Sequence, residues 1–199
     1  MHAVMNVEPV VLSGNTIRLV PLSLEHVDGL TAVGLDPELW RWIPVPVTTP
    51  QEMQSYVETA LDEQKRGVAL PFAILDASSG EVIGCTRYAN IERSHFRLEI
   101  GWTWYAKQRQ RTGANTEAKL LLLTHAFETL GANRVELKTD ALNTQSRNAI
   151  GRIGGVQEGI FRQHLITASG RVRDTVYFSI IRGEWPLVKE RLIGKIAKH

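Results

Sequence analysis

Alternating apolar and polar positions from Asn15 to Val20 predict a first strand, and the spacing after Ser23 predicts a helix to about Leu35 with Ser23 as its cap. Asp36-Pro37 opens a short segment containing Trp40 and Trp42, a proline-rich loop runs from Ile43 to Pro50, and a second helix is predicted from Pro50 to about Gly67. Leu70 to Asp76 and Val82 to Asn90 read as strands joined by the turn Ala77-Ser78-Ser79-Gly80. Phe96 to Tyr105 is a further strand. From about Gly113 to Leu130, Ala118, Leu121, Leu122, His125, Ala126 and Leu130 recur near helical spacing, and Gly131 ends the run. Arg134 to Thr139 is a strand. Asn143 caps a helix to about Ile153 that Gly154-Gly155 terminates, and Ile160 to Ala168 and Val172 to Ile181 are strands around Ser169-Gly170. Glu184 to His199 is predicted as a short basic helix.

Between the hairpins the chain runs strand, helix, strand, helix. Such a crossover forces Phe96–Tyr105 and Arg134–Thr139 to lie parallel, where adjacent, inside an otherwise antiparallel sheet. Ligands favour the carboxyl ends of such strands. The stretch Gln110-Arg111-Thr112-Gly113-Ala114-Asn115-Thr116-Glu117-Ala118 follows the first strand and Asn143-Thr144-Gln145-Ser146 the second, so both lie at that end. The first joins a basic turn to a helix start, where unpartnered N–H groups and the positive end of the dipole favour a pyrophosphate. Gly113 lets a ligand approach the main chain closely. Arg111 supplies charge, and Thr112, Asn115 and Thr116 supply short polar side chains that reach phosphate oxygens or cap the helix. The stretch lacks the Lys-Ser/Thr ending of a P-loop and two of the three glycines of a dinucleotide fingerprint, so ATP and NAD are poorly supported. An ordinary strand-to-helix turn with solvated charges is the plain alternative.

The length of 199 residues fits one domain, and 43% hydrophobic content is enough for a sizeable core. With 23 basic and 21 acidic residues the net charge is only +2, and no basic run is interleaved with aromatics, which argues against a nucleic-acid partner. Lys107, Arg109 and Arg111 alternate where the cradle sits and read as a focused anion site. Cys85 is the only cysteine, which excludes an internal disulfide and a multi-cysteine metal site. It follows Val82-Ile83-Gly84 in a strand and reads as a packing thiol rather than a nucleophile. Without a charged-then-apolar leader or a long apolar run, a soluble cytoplasmic protein with no membrane association is expected.

These motifs together resemble the GCN5-related N-acetyltransferase superfamily, and within it the branch of ribosomal-protein alanine acetyltransferases. The superfamily's cofactor motif runs Gln or Arg, two residues, Gly, one residue, then Gly or Ala. Gln110, Gly113 and Asn115 occupy those places, with Asn115 a departure and Arg111 standing where many relatives have glycine. Glu99-Ile100-Gly101-Trp102, Thr116-Glu117-Ala118 and Asn143-Thr144-Gln145-Ser146 are similar to neighbouring family segments. So are Asp36-Pro37-Glu38-Leu39-Trp40-Arg41-Trp42-Ile43-Pro44 and Gly170-Arg171-Val172-Arg173-Asp174-Thr175-Val176-Tyr177. The likeness covers roughly residues 10–182 as one acyl-CoA N-acyltransferase domain and leaves 183–199 as a basic helical tail.

The resemblance implies an α/β (α+β) fold. Its sheet is mixed and mostly antiparallel, flanked by helices, with a central parallel pair splayed to hold acyl-CoA. It implies acetyl-CoA as co-substrate, no metal, and direct attack of an amine acceptor, unidentified from sequence, on the thioester. Gln110, Arg111, Thr112, Gly113, Ala114, Asn115 and Thr116 are the expected pyrophosphate cradle. Trp102, Thr103 and Trp104 are expected to offer main-chain groups to the pantetheine, with Asn143 and Ser146 beside it. An attacking amine must be neutral. For an α-amine near pKa ~8 about a tenth is neutral at pH 7, against less than about one in a thousand for a lysine near ~10.4. Glu99 is the candidate base, or else a solvent-facing cross-strand charge. Ser146 is the candidate acid for the departing thiolate, or else only the third residue of a helix capped by Asn143.

Tyr177 and Asp174 border the expected substrate cleft, with Asp174 read as an ion pair to Arg171 or Arg173. His95 and His164 read as surface or packing residues and His125 as core. Trp40 and Trp42 are a lid or simple packing. A non-catalytic acyl-CoA-binding sensor or scaffold is the alternative function, and a transferase of longer acyl chains a further one. Edge strands and the family leave a homodimer open.

Overall fold

A computed structural model describes residues 4–197. The elements are β1 (Leu12–Ser13), β2 (Ile17–Pro21), α1 (Val27–Gly34), α2 (Pro37–Trp40), α3 (Pro50–Lys65), β3 (Leu70–Asp76), β4 (Val82–Glu92), β5 (Arg97–Tyr105), α4 (Ala114–Thr124), β6 (Arg134–Asp140), α5 (Thr144–Arg152), β7 (Val156–Ile166), β8 (Val172–Ile181) and α6 (Trp185–Ile196). One eight-stranded sheet runs β1-β2-β3-β4-β5-β6-β8-β7. Every neighbouring pair is antiparallel except β5 and β6. The expected fold class, a mostly antiparallel mixed sheet with a central parallel pair and flanking helices, is met.

Short polar side chains set the helix starts. Asp36 accepts the Glu38 N–H at 3.0 Å, Thr49 accepts the Glu52 N–H at 3.2 Å, and Asn143 accepts the Ser146 N–H at 2.9 Å. Ser23 opens not α1 directly but a short 3₁₀ turn, Leu24–His26, that leads into it. The helix read as running unbroken to Leu130 is α-helical only to Thr124. His125–Thr129 form a π turn, with the Leu130 N–H on the His125 carbonyl at 2.9 Å. Just before it the Tyr88 hydroxyl donates to the Leu122 carbonyl at 2.6 Å, a competing partner that periodicity does not reveal.

Two further boundaries differ from the sequence reading. β7 begins at Val156 rather than Ile160, and nearly all its residues are exposed, so neither face carries an apolar rhythm to mark its start. β1 is too short to leave a pattern. Residues 198 and 199 of the expected C-terminal helix lie outside the described residues. Trp185, Val188 and Leu192 of α6 are buried in the main core, with the Trp185 ring stacked 5.4 Å from that of Phe127.

The sheet separates two apolar layers. On one face α4 and α6 pack with Leu19, Phe72, Tyr88, Leu98, Val135 and Val176. On the other, α1, α2 and α3 enclose Leu30, Trp40, Met53, Cys85 and Trp104. Cys85 is fully buried, as expected of a packing thiol. The second layer covers β2 to β5 only. Over β6, β8 and β7 the same face carries Glu136, Lys138, Tyr177, Ser179 and Glu158, and all but Ser179 line a cavity there.

Candidate active site

The parallel register joins Arg97 to Arg134, Leu98 to Val135 and Glu99 to Glu136, and there it stops. Beyond Glu99, β5 stays with β4 as far as Tyr105, while β6 stays with β8 as far as Asp140. The strands therefore diverge into a V whose root is Glu99. β6 offers no partner to the inner edge of Gly101–Tyr105, so main-chain groups there need another. Within this stretch the register slips between Cys85 opposite Trp104 and Arg87 opposite Gly101, a β-bulge with Trp102 in the left-handed region at φ 49°.

The segment read as a cradle, Gln110 to Thr116, lies between the carboxyl end of β5 and the start of α4. Of the basic side chains in and just before it, Arg109 is held by Asp76 at 2.7 Å and Lys107 by Asp36 at 3.6 Å. The alternating cations therefore do not all serve the anion site. Among the described residues only Arg111 of the three lacks an acidic partner. Arg111 also adopts φ 61°, whereas Gly113 sits at an ordinary helical φ of −64°. The conformational demand for glycine thus falls on Arg111 rather than on Gly113. Thr112 Oγ1 donates to the Arg109 carbonyl at 2.8 Å and accepts the Ala114 N–H at 3.3 Å. Helical bonding of the first turn starts with the Glu117 N–H on the Gly113 carbonyl at 3.0 Å, leaving the Asn115 and Thr116 N–H groups ahead of the ladder. Ala114 and Thr116 are buried. Gln110, Arg111, Thr112 and, in part, Gly113 and Asn115 remain accessible. On the expectation that this turn holds the pyrophosphate of CoA, replacing Arg111 with Gly should weaken CoA binding about tenfold, the effect of losing one charge-assisted contact, as titration calorimetry would show.

Glu117 fixes the helix start from beneath. Its buried carboxylate accepts N–H groups of Asn15 at 2.5 Å, Thr16 at 3.0 Å and Ile17 at 3.2 Å, and the Thr16 hydroxyl as well. A Cβ at Gly14 would lie 2.6 Å from that carboxylate, so a larger residue there would push the carboxylate out of this arrangement.

Glu99 is not a solvent-facing charge: it is 5% exposed. Its Oε2 accepts Asn90 Nδ2 at 2.6 Å and pairs with Lys138 Nζ at 2.8 Å. Lys138 in turn lies 3.5 Å from Glu136 and 4.6 Å above the centre of the Tyr177 ring. Burial disfavours its charge, but Glu99, Tyr177 and Glu136 more than offset this, and its pKa is raised. The sequence reading missed Asn90 and Lys138. Alternation gave the signal for Lys138, since it shares a face with Glu136, the residue across from Glu99. Asn90 sits at φ 47° in a bulge, which no pattern marks. A Cβ at Gly101 would stand 2.9 Å from Glu99 Oε1, so Gly101 keeps space for the carboxylate. Beside Lys138 a cavity of about 680 Å³ opens, bounded by Asn90, Arg97, Glu136, Phe161 and Tyr177. Phe161 stacks on Tyr177 with 4.2 Å between centroids, and His164 meets both rings edge-on at this cavity.

Ser146 lies on the first turn of α5, beyond the carboxyl end of β6, with its N–H on the Asn143 side chain at 2.9 Å. Asn143 is thus the helix cap. Trp104 is buried against Trp40, 5.5 Å between centroids, so Trp40 packs in the core rather than forming a lid. Trp42 is half-buried, and its carbonyl accepts Arg173 Nη1 at 3.2 Å. The expected pairing of Asp174 with Arg171 or Arg173 is replaced. Both arginines turn to the buried Asp140, and Asp174 instead accepts the Gln163 N–H at 2.6 Å. The reason is the pleat: Asp174 points to the face opposite its neighbours.

Comparison with known proteins agrees with this geometry. The family model described as Acetyltransferase (GNAT) domain matches residues 16–156. The structure of a GCN5-related N-acetyltransferase from Brucella melitensis superposes with a TM-score of 0.90 at 32% identity, covering 98% of this chain and 89% of that one. YdaF of Bacillus subtilis (strain 168), provisionally named a ribosomal N-acetyltransferase, is 32% identical over 85% of this chain and 92% of its own. Mycobacterium smegmatis RimJ, solved in complex with CoA-disulfide, shares the fold with a TM-score of 0.79 at 24% identity over 94% of this chain and 93% of that one. Among the described residues no helix is long and apolar enough to cross a membrane. The family match over most of the sheet, together with the diverging β5–β6 pair, means that this chain belongs to the GCN5-related N-acetyltransferase (GNAT) family and is an acetyltransferase.

Proposed function

We propose that the chain moves an acetyl group from acetyl-CoA to a primary amine, at a peptide or protein N-terminus or on a small molecule, by direct attack on the thioester. The observation that carries this reading is the end of the parallel register at Glu99. A polar, lysine-paired carboxylate stands at the root of the V, the α4 N-terminus stands at its mouth, and an open cavity is lined by Asn90 and Lys138, the two residues that hold the carboxylate.

In this reading Arg111, Thr112, Asn115 and the leading N–H groups of α4 hold the pyrophosphate, with Gln110, Gly113, Ala114 and Thr116 shaping the turn. Main-chain groups of Trp102, Thr103 and Trp104 bind the pantetheine amides. One N–H there polarises the thioester carbonyl, a donor whose loss typically costs about 3 kcal/mol of barrier. Glu99, held by Asn90 and Lys138, takes the proton of the incoming ammonium directly or through a water. A nitrogen–carbon bond then forms and the carbon–sulfur bond breaks. The tetrahedral intermediate's nitrogen gives up its second proton, which Ser146 relays to the departing thiolate so that its own hydroxyl is restored, with Asn143 fixing the turn on which Ser146 sits. The α-amine of a peptide suits this site better than a lysine side chain, since it is already neutral in part near pH 7. The ribosomal assignment in the name of YdaF points the same way.

The reading is tested by incubating the purified chain with acetyl-CoA and a panel of α-amino peptides, amino acids, polyamines and lysine peptides, with product masses measured. Acetylation of one amine class is expected. Tight CoA binding with no acetylated amine would overturn the transferase reading in favour of a sensor.

A further inference from the structure

Lys119 sits in the first half of α4 with its side chain turned into the sheet, and it is only 5% exposed. A lysine so placed needs a reason, because its amine gives up hydration that an apolar side chain would never need. Its Nζ donates to Thr103 Oγ1 at 3.0 Å, and no carboxylate among the described residues pairs with it. Three N–H donors thus share one hydrogen-bonded acceptor. Burial alone pushes its pKa down to about 7.

The contact leads directly to the bulge in β5. Thr103 Oγ1 is 2.8 Å from Thr86 Oγ1, and Thr86 Oγ1 reaches the Gly101 carbonyl at 3.5 Å. Lys119, Thr103 and Thr86 therefore form a chain of polar contacts from α4 to the segment in which Trp102 is forced to φ 49°. For an aromatic residue that conformation costs energy and persists only where its surroundings impose it. Thr103 is also on the edge of β5 that β6 has left.

We propose that Lys119 is a positioning residue. Acting through the Thr103 and Thr86 hydroxyls, it holds the β5 bulge so that the main chain of Trp102–Trp104 faces the opening between β5 and β6. The inference rests on the reading above for the place of the thioester. A methionine at this position would fill similar space without a buried amine, so retention of lysine trades stability for a fixed strand geometry.

The test compares wild type, Lys119→Met, Thr103→Val and the double variant by Tm, CoA affinity and kcat with the acetylated amine of the panel. K119M is expected to keep or raise Tm and to weaken CoA binding by less than it lowers kcat, since the pyrophosphate cradle is untouched and only the pantetheine contacts of Trp102–Trp104 shift. Its kcat falls at least about tenfold, through misplacement of the oxyanion donor. The double variant is expected to be no slower than the slower single variant, because both break one chain. A kcat of K119M within about twofold of wild type would overturn the inference, as would single-variant losses that multiply or a fall in Tm and CoA affinity that accounts for the lost rate. Should K119M not fold, the trade itself is refuted, and T103V with Thr86→Val still reads the effect of the relay on kcat against Kd. Absence of turnover in wild type would overturn the transferase reading and this inference with it, whereas turnover unaffected by these variants overturns the inference alone.

Discussion

Glu99→Gln is expected to lower kcat/KM for the amine by about 10²–10⁴-fold while leaving CoA affinity nearly unchanged, because a general base acts on the acceptor and not on the cofactor. Glutamine keeps the shape and the Asn90 contact but cannot take a proton. Lys138 keeps Glu136 at 3.5 Å as a partner, so the root of the V stays charged and folded. The pH dependence carries the sign. Without the base only amine that is already neutral reacts, so the variant's rate rises about tenfold per pH unit below the amine pKa and levels off above it. Wild type approaches its plateau at lower pH. Steady-state rates between pH 6 and 9 separate the two profiles, and parallel profiles would remove Glu99 from the role.

Glu117→Ala is expected to cost about 3–5 kcal/mol of stability by chemical denaturation. The carboxylate gathers the main-chain donors of Asn15, Thr16 and Ile17, and alanine leaves those donors facing a partly buried gap. The same bonds tie the first turn of α4 to the entry of β2, so the cradle loosens along with the fold. CoA binding should therefore weaken in this variant even at temperatures where it remains folded. A drop below about 1 kcal/mol would show that water satisfies the orphaned donors.

Much of this molecule is legible in its sequence, for identifiable reasons. Leu70–Asp76 and Val172–Ile181 occur with the expected bounds because turn residues flank them, and Asn143 caps α5 as its position after β6 predicted. The parallel pairing of β5 and β6 followed from the crossover rule once a strand-helix-strand unit was recognised, whereas their divergence was expected only from the family resemblance. Long-range partners were not legible. Arg109 and Lys107 read as anion ligands, yet their partners Asp76 and Asp36 lie far away along the chain. Lys119 is hidden inside the apolar stripe of α4, where a single polar letter reads as an exposed position. Glu99 was found by its strand position, but whether it faced solvent depended on Lys138, Asn90 and the packing of β8, none of them local to it.

Single turnover tests direct acetyl transfer most closely. A stoichiometric complex of protein and acetyl-CoA is mixed with the amine preferred in the panel, and free CoA thiol and acetylated amine are counted over time. Direct transfer gives one acetylated amine per thiol released, with no thiol before the amine is added and no acetyl group left on the protein. Thiol release ahead of the amine, or acetylated protein as an intermediate, would contradict attack by the amine at the root of the V.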